Sequence, residues 1–469
     1  MKSLNKEILR LALPSILANI TVPIVGMVDV AVAGHIGSDG FATVAAFIGS
    51  ISVGSMLFDL LYWNFAFLRV GTGGLTAQAL GRSDMKECGL LLARALLLAL
   101  GLAALTLAVQ WPFTKLAFLA VDCSPEVKTL ALKYFFIRIW AAPATLSLMS
   151  FRGWFIGMQD SMSSMMTDLV INVTNIIASI ILSLGVGGWQ GLGFPGIALG
   201  TVIAQYSGLL YACVRTLVKY RSIVFKGLKR DELAASFKGS GMKAFMSMNG
   251  DIFVRSICFT AIYIGVTVIS ARYGDLMLAS TTIMMKLLMI FSFFTDGFAY
   301  AGEALTGRFI GAKDLLMTRK SVKYVFAWSM SIVLIFMALY HFGGEPLLAL
   351  MSSDTAVNEA CREFLPWLVL MPLIGCPAFT WDGIYLGATA STGVRNAMLA
   401  ACAAFFCFWC AGIRLLEAKS GLSQDSAEFQ TLAIHILMGA YFAHLLARTL
   451  VMSLQYKKEV LRRHFRDSL

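Results

Sequence analysis

Polar residues interrupt this chain at a regular beat. Long apolar stretches run approximately over 9–33, 42–67, 88–110, 127–149, 163–185, 194–218, 245–270, 278–304, 321–341, 364–387, 394–416 and 431–455, with short polar segments between them. A helix needs about 20 such residues to cross a bilayer. The pattern predicts twelve spanning α-helices. Span 8 is the least regular, because Lys286, Asp296 and Glu303 fall in or near it. The longest polar interruption, "VKYRSIVFKGLKRDELAASFKGSGMK", lies between spans 6 and 7. It divides the chain into an N-terminal six-helix lobe over 1–218, a cytoplasmic linker over 219–244, and a C-terminal six-helix lobe over 245–469 with a basic tail.

The halves repeat each other. "LTAQALGRSD" from Leu75 matches "LTGRFIGAKD" from Leu305, and "RGWFIGMQDS" from Arg152 matches "DGIYLGATAS" from Asp382. Each pair is separated by 230 residues and follows an equivalent span, the second or the fourth of its half. Two matches at one offset indicate a duplication. An even number of spans per half makes these parallel repeats about an axis along the membrane normal, a pair expected to enclose a cleft.

Composition agrees with an all-α integral membrane protein. The chain is 58% hydrophobic and only 14% charged, with mean hydropathy +0.75. Soluble proteins carry about 25% charged residues. The net charge of +11 does not imply a nucleic-acid partner, because the basic residues sit between apolar spans. They crowd the tails and the loops on one side. The opposite side holds only Lys115, Lys128, Arg272, Arg362, Arg414 and Lys419. The positive-inside rule then places both termini in the cytoplasm. The N-terminal "MKSLNKEILRLALPSIL" reads as the start of the first span rather than a cleavable leader. The nine cysteines form no framework; Cys123 and Cys361 fall in loops on one side, but spacing alone does not support a disulfide. The five histidines form no metal motif, and no phosphate-binding loop or nucleophile elbow is present. The chain is therefore expected to be no enzyme and to need no metal or cofactor; a monomer is expected, with no motif that dictates assembly.

Chemistry concentrates in polar residues placed where lipid would make them costly. "GMVDVAVAG" puts Asp29 in the outer half of span 1, six residues after Pro23, which removes a backbone donor and is expected to bend the helix. In span 5, Asp168, Asn172, Asn175 and Ser179 recur at i, i+4, i+7 and i+11, one continuous face. Such a stripe faces a cavity or the interior of its lobe. In the second half, Asp251 and Arg255 form an i, i+4 pair, Asp296 and Glu303 share a face, and Asp382 sits at the inner end of span 10. Asp59 needs a partner, for which Lys286 is one candidate. A carboxylate in an intermittently wetted, low-dielectric site can exchange protons near neutral pH. With neighbouring amide and hydroxyl oxygens it can hold Na⁺ instead. Asp29 reads as a coupling-ion site either way.

These segments together, with "LALPSI", "FAFLRVGTGGLTAQALGRSD", "DIFVRS" and "DGFAYAGEALTGRFIGAKD", resemble the multidrug and toxic compound extrusion (MATE) transporters, in the branch typified by DNA damage-inducible protein F. The resemblance implies two six-helix lobes in a V and alternating access. It also implies antiport of small organic, often cationic, compounds against inward H⁺ or Na⁺. It makes Asp29 the central coupling residue, with Asn175 and Thr201 in an accompanying polar cluster that takes in Asn172 and Ser179. Many relatives have an aspartate where Ser179 stands. Its loss weakens a Na⁺ site and favours H⁺. Asp251, Arg255, Asp296, Glu303 and Asp382 are candidates for coupling or substrate contact in the C-terminal lobe. The alternatives are a Na⁺-coupled version of the same exporter and a flippase for a lipid-linked precursor, which would favour a cationic cavity.

Overall fold

The computed structural model describes residues 2–36, 44–119, 123–223, 239–352, 354–424 and 426–465. Most of the expected linker, 224–238, lies outside them. Among the described residues, twelve helical segments are long and apolar enough to span a membrane, from Ser3–His35 to Ala427–Arg462. No strand occurs among the described residues.

In chain order the N-terminal half contributes α1 (Lys2–His35), α2 (Val44–Trp63), α3 (Phe67–Gly81), α4 (Met85–Ala108), the short α5 (Gln110–Ala117), α6 (Pro125–Arg138), α7 (Ala142–Gly157), α8 (Ser161–Leu184) and α9 (Phe194–Lys219). The second half contributes α10 (Ser240–Ala271), α11 (Asp275–Gly311), α12 (Leu315–Met351), α13 (Thr355–Gly387), α14 (Ser391–Lys419) and α15 (Ala427–Tyr456). Helices outrun the apolar stretches that predict them. "LTAQALGRSD", expected as a loop, is helical as far as Gly81. The backbone closes its own hydrogen bonds in a helix, so the helix continues past the hydrocarbon until a turn stops it.

Those turns realise the repeat. Ser83, Gln159, Lys313 and Thr389 are the non-glycine residues with positive φ, at 52–59°, among the described residues. Ser83 and Lys313 are equivalent under the 230-residue offset, as are Gln159 and Thr389. Each turn closes when the next residue's N–H donates to the carbonyl five residues back: Asp84 to Ala79, Asp160 to Phe155, Asp314 to Phe309, Ala390 to Tyr385. Asp84, Asp160 and Asp314 then cap the following helix through a carboxylate oxygen that accepts a backbone N–H, at 2.9, 3.3 and 2.9 Å. Alanine at 390 leaves the fourth turn without a side-chain cap.

The same offset governs packing. A Cβ at Gly153 would collide with the Arg69 carbonyl, and one at Gly383 with the Ala299 carbonyl. These glycines bring α7 against α3 and α13 against α11, as small residues do between membrane helices.

The chain forms two compact units. The N-terminal unit is Leu17–Asn249; the C-terminal unit is Gly250–Leu469 together with Met1–Ile16. The division falls within α1, which runs unbroken through Pro14 and Pro23. Its first turns belong to the C-terminal unit, where Gly297 lies against Ala12 and Ile16, and Trp328 Nε1 donates to Asn5 at 3.1 Å. The N-terminal unit has an aromatic core in which Phe58 stacks on Phe135 and Phe47 on Phe194. The C-terminal unit buries a core rich in methionine and aromatic residues around Phe291, Phe364, Met371 and Leu437. All nine cysteines, Cys123 and Cys361 included, are free thiols.

Candidate coupling site

The α8 stripe faces the interior of the N-terminal unit, and each member meets a different partner. Asp168 pairs with Arg152 of α7, whose Nε donates at 2.7 Å. Asn172 Nδ2 donates to Thr21 Oγ1 of α1 at 2.5 Å. Asn175 Nδ2 donates to Thr201 Oγ1 of α9 at 3.1 Å. Ser179 Oγ donates to Asp29 Oδ1 of α1 at 3.4 Å. Both α1 contacts rise together along the two helices, because turns of parallel helices stay in step. Gly200 permits the α9 contact: a Cβ there would stand 2.6 Å from Ser179 Oγ.

Asp29 is 6% exposed, and this long hydrogen bond comes from a neutral hydroxyl. Asn175 Oδ1 is buried without a hydrogen-bond partner among the described residues. An acceptor left unmade in this way is costly and is ready for a proton donor, a water or a cation.

Arg138, which sequence reading did not single out, belongs to the same unit. It is the last residue of α6 and half-buried. Its Nη1 donates to the Tyr134 hydroxyl at 2.9 Å. Its guanidinium lies 4.7 Å from the Phe58 ring centre and 5.6 Å from that of Tyr134, a cation held by aromatic faces. Its charge acts on both Asp29 and Asp59. Within its own unit, Arg138 is the cation whose charge reaches Asp59. The signal was available: an arginine inside span 4 is as anomalous as an aspartate inside span 1.

The C-terminal carboxylates are held differently. Asp251 and Arg255 share a face of α10, but each takes another partner. Asp251 accepts from Arg395 Nη1 at 2.6 Å, Ser391 Oγ at 2.7 Å and Thr392 Oγ1 at 3.1 Å, all on α14. Arg255 donates to Asp382 at 2.5 Å. Asp382 also binds Arg448 of α15, which is 2% exposed. Carboxylates gain more from bidentate or multiple guanidinium contacts across helices than from an i, i+4 neighbour. Asp296 and Glu303 lie on α11, with Glu303 fully buried. Arg395 and Arg448 were not foreseen, because their roles depend on which helices adjoin. Among the described residues no three His, Cys, Asp or Glu side chains group as metal ligands would.

A twelve-span fold of two repeated six-helix halves, with a carboxylate buried among neutral polar side chains, is the build of a secondary transporter. The MatE family model matches residues 14–181 and 252–408, and the chain belongs to that family. It is therefore a membrane transporter and not an enzyme. The chain is 34% identical over 407 residues to DNA damage-inducible protein F of Escherichia coli K12, covering 86% of this chain and 85% of that one. It is 24% identical over 421 residues to the probable multidrug resistance protein NorM of Photorhabdus laumondii, covering 87% and 86%. Among solved structures, it superposes on the eukaryotic MATE transporter AtDTX14 with a TM-score of 0.81 at 14% identity, covering 99% and 98%. On the bent form of the Vibrio cholerae MATE transporter VcmN the TM-score is 0.79 at 15% identity, covering 99% of each.

Proposed function

We propose that the protein exports small organic, cationic or amphipathic compounds by alternating access, driven by inward H⁺ movement through Asp29. It acts as a monomer in a bacterial inner membrane with both termini cytoplasmic, the orientation that the Lys and Arg asymmetry supports. The observation that carries the reading is the setting of Asp29: buried, intramembrane, and contacted by a neutral hydroxyl rather than clamped by a cation. Such a carboxylate can change its charge without breaking an ion pair. The names of relatives such as NorM support a multidrug substrate range.

Three observations bear on the coupling ion. The fixed charge of Arg138 acts on Asp29, and Ser179 supplies no second carboxylate; both disfavour Na⁺, which needs oxygen ligands and compensating negative charge. The orphaned Asn175 Oδ1 favours Na⁺, as one ligand in a set with Thr201, Ser179 and Asp29. Export of a fluorescent cation from proteoliposomes, under a pH gradient alone and a Na⁺ gradient alone, decides. Export under the pH gradient that is lost in Asp29→Asn supports the proposal. Export under Na⁺ alone replaces H⁺ with Na⁺. Full activity of Asp29→Asn removes Asp29 from coupling.

A further inference from the structure

Two of the six basic residues on the lysine-poor side of the chain converge on one groove. Lys115, on α5, and Lys128, on α6, both line a groove of about 680 Å³. Its other walls include Trp111, Leu116, Phe118 and Phe136, and among the described residues no carboxylate lines it. Neither lysine has an ion-pair partner among the described residues. The groove is built rather than incidental. Trp111 packs on Phe136 with ring centres 4.4 Å apart, and Lys128 Nζ lies 5.3 Å from the centre of the Phe118 ring. Its rim is openly apolar, with Trp111 62%, Leu116 69% and Leu119 82% exposed.

An exposed tryptophan, a leucine and a lysine on a short helix between two spans mark a segment at the membrane–water boundary. A lysine there extends its stem over apolar surface and places its ammonium at headgroup depth. Two ammonium groups above one apolar groove, with no ion-pair partner among the described residues, complement an amphiphile that has an apolar tail and a negative head. The surrounding leaflet supplies that chemistry.

We infer that the α5–α6 groove is a binding site for an anionic phospholipid, its acyl chain along Trp111, Leu116 and Phe136 and its phosphate between Lys115 and Lys128. This site stands apart from Asp29 and does not depend on which ion is coupled. Each lysine contributes up to about fivefold to the preference for an anionic over a zwitterionic headgroup.

The test uses full-length protein with Trp111 as the reporter, in bilayers that mix phosphatidylcholine with brominated phosphatidylglycerol or brominated phosphatidylcholine. Bromine quenches a tryptophan that it touches, and the Trp111→Phe protein isolates this signal from the other tryptophans. The expected result is several-fold stronger quenching by phosphatidylglycerol, reduced by salt and brought to parity in Lys115→Gln/Lys128→Gln. Equal quenching by the two lipids in the unmodified protein would overturn the inference. So would a preference that survives the double substitution. If the double variant does not reconstitute, the salt titration of the unmodified protein decides: a salt-independent preference also overturns it.

Discussion

The two units are built to one plan and differ along one helix face. Helix α8 of the N-terminal unit and α14 of the C-terminal unit begin at equivalent residues, Ser161 and Ser391. Along α8 the stripe reads Asp168, Asn172, Asn175, Ser179; at the same offset α14 reads Met398, Cys402, Phe405, Trp409. One face meets a guanidinium, two hydroxyls and a carboxylate; the other packs apolar core. A second exchange reverses charge. Arg152, which pairs with Asp168, is equivalent to Asp382, which pairs with Arg255 and Arg448. Duplication supplied the scaffold twice, and the polar chemistry then diverged. The N-terminal unit keeps a carboxylate that can titrate or bind an ion. The C-terminal unit locks Asp251 and Asp382 under guanidinium groups.

The sharpest way to break this contrast is to neutralise one carboxylate in each unit. Asp29→Asn should abolish ion-driven export yet shift stability by about 1 kcal/mol or less, because asparagine still accepts from Ser179. Asp382→Asn should do the reverse. It strands the buried Arg448 and should cost about 3–5 kcal/mol, read as a lowered unfolding midpoint in detergent. Equal thermal loss in the two variants would sink the distinction between a free and a locked carboxylate.

Arg138→Gln sharpens it further. Removing the fixed charge that acts on Asp29 should let Na⁺ compete with or drive export, and Arg138→Lys should restore the original ion preference. An unchanged response to Na⁺ would detach Arg138 from ion selection. A smaller effect is expected at Pro23, whose missing N–H leaves α1 with one backbone bond fewer. Pro23→Ala should slow turnover more than it weakens substrate binding; equal losses would argue against a bending role.

The smallest effect belongs to the turn before α8. Burial acts to raise the Asp160 carboxyl, but hydrogen bonds from Lys219 at 2.7 Å, Ser163 at 2.5 Å and Tyr220 at 2.9 Å hold it below the usual range. A depressed folded-state value stabilises above the unfolded value of about 3.9 and is lost as pH falls through the folded one. Asp160→Asn should therefore cost about 1 kcal/mol at pH 7, discounted for the exposed Lys219, with the difference from the unmodified protein shrinking below about pH 4. A difference that is constant down to pH 3 would mean that the cap, not the charge, is what matters.

The chain alone determined a good deal. Apolar runs of spanning length set the number of helices, because a bilayer tolerates little else. Matched decapeptides at one offset set the duplication, since turns and close-packed glycines constrain local sequence. The α8 stripe announced an inward face, because helical periodicity is a local property. Only the tertiary structure decided who meets whom. Asp251 and Arg255 looked like a pair on α10, yet Arg395 and Asp382 claim them from other helices. Asp29 gained Ser179, and Asn175 gained Thr201, through contacts 150 and 26 residues apart. Arg138 joined the site because the aromatic faces of Phe58 and Tyr134 hold it there. Periodicity shows which face of a helix is polar, but partners depend on which helices adjoin and at what height. That is settled by packing of the whole unit and is written in no single segment.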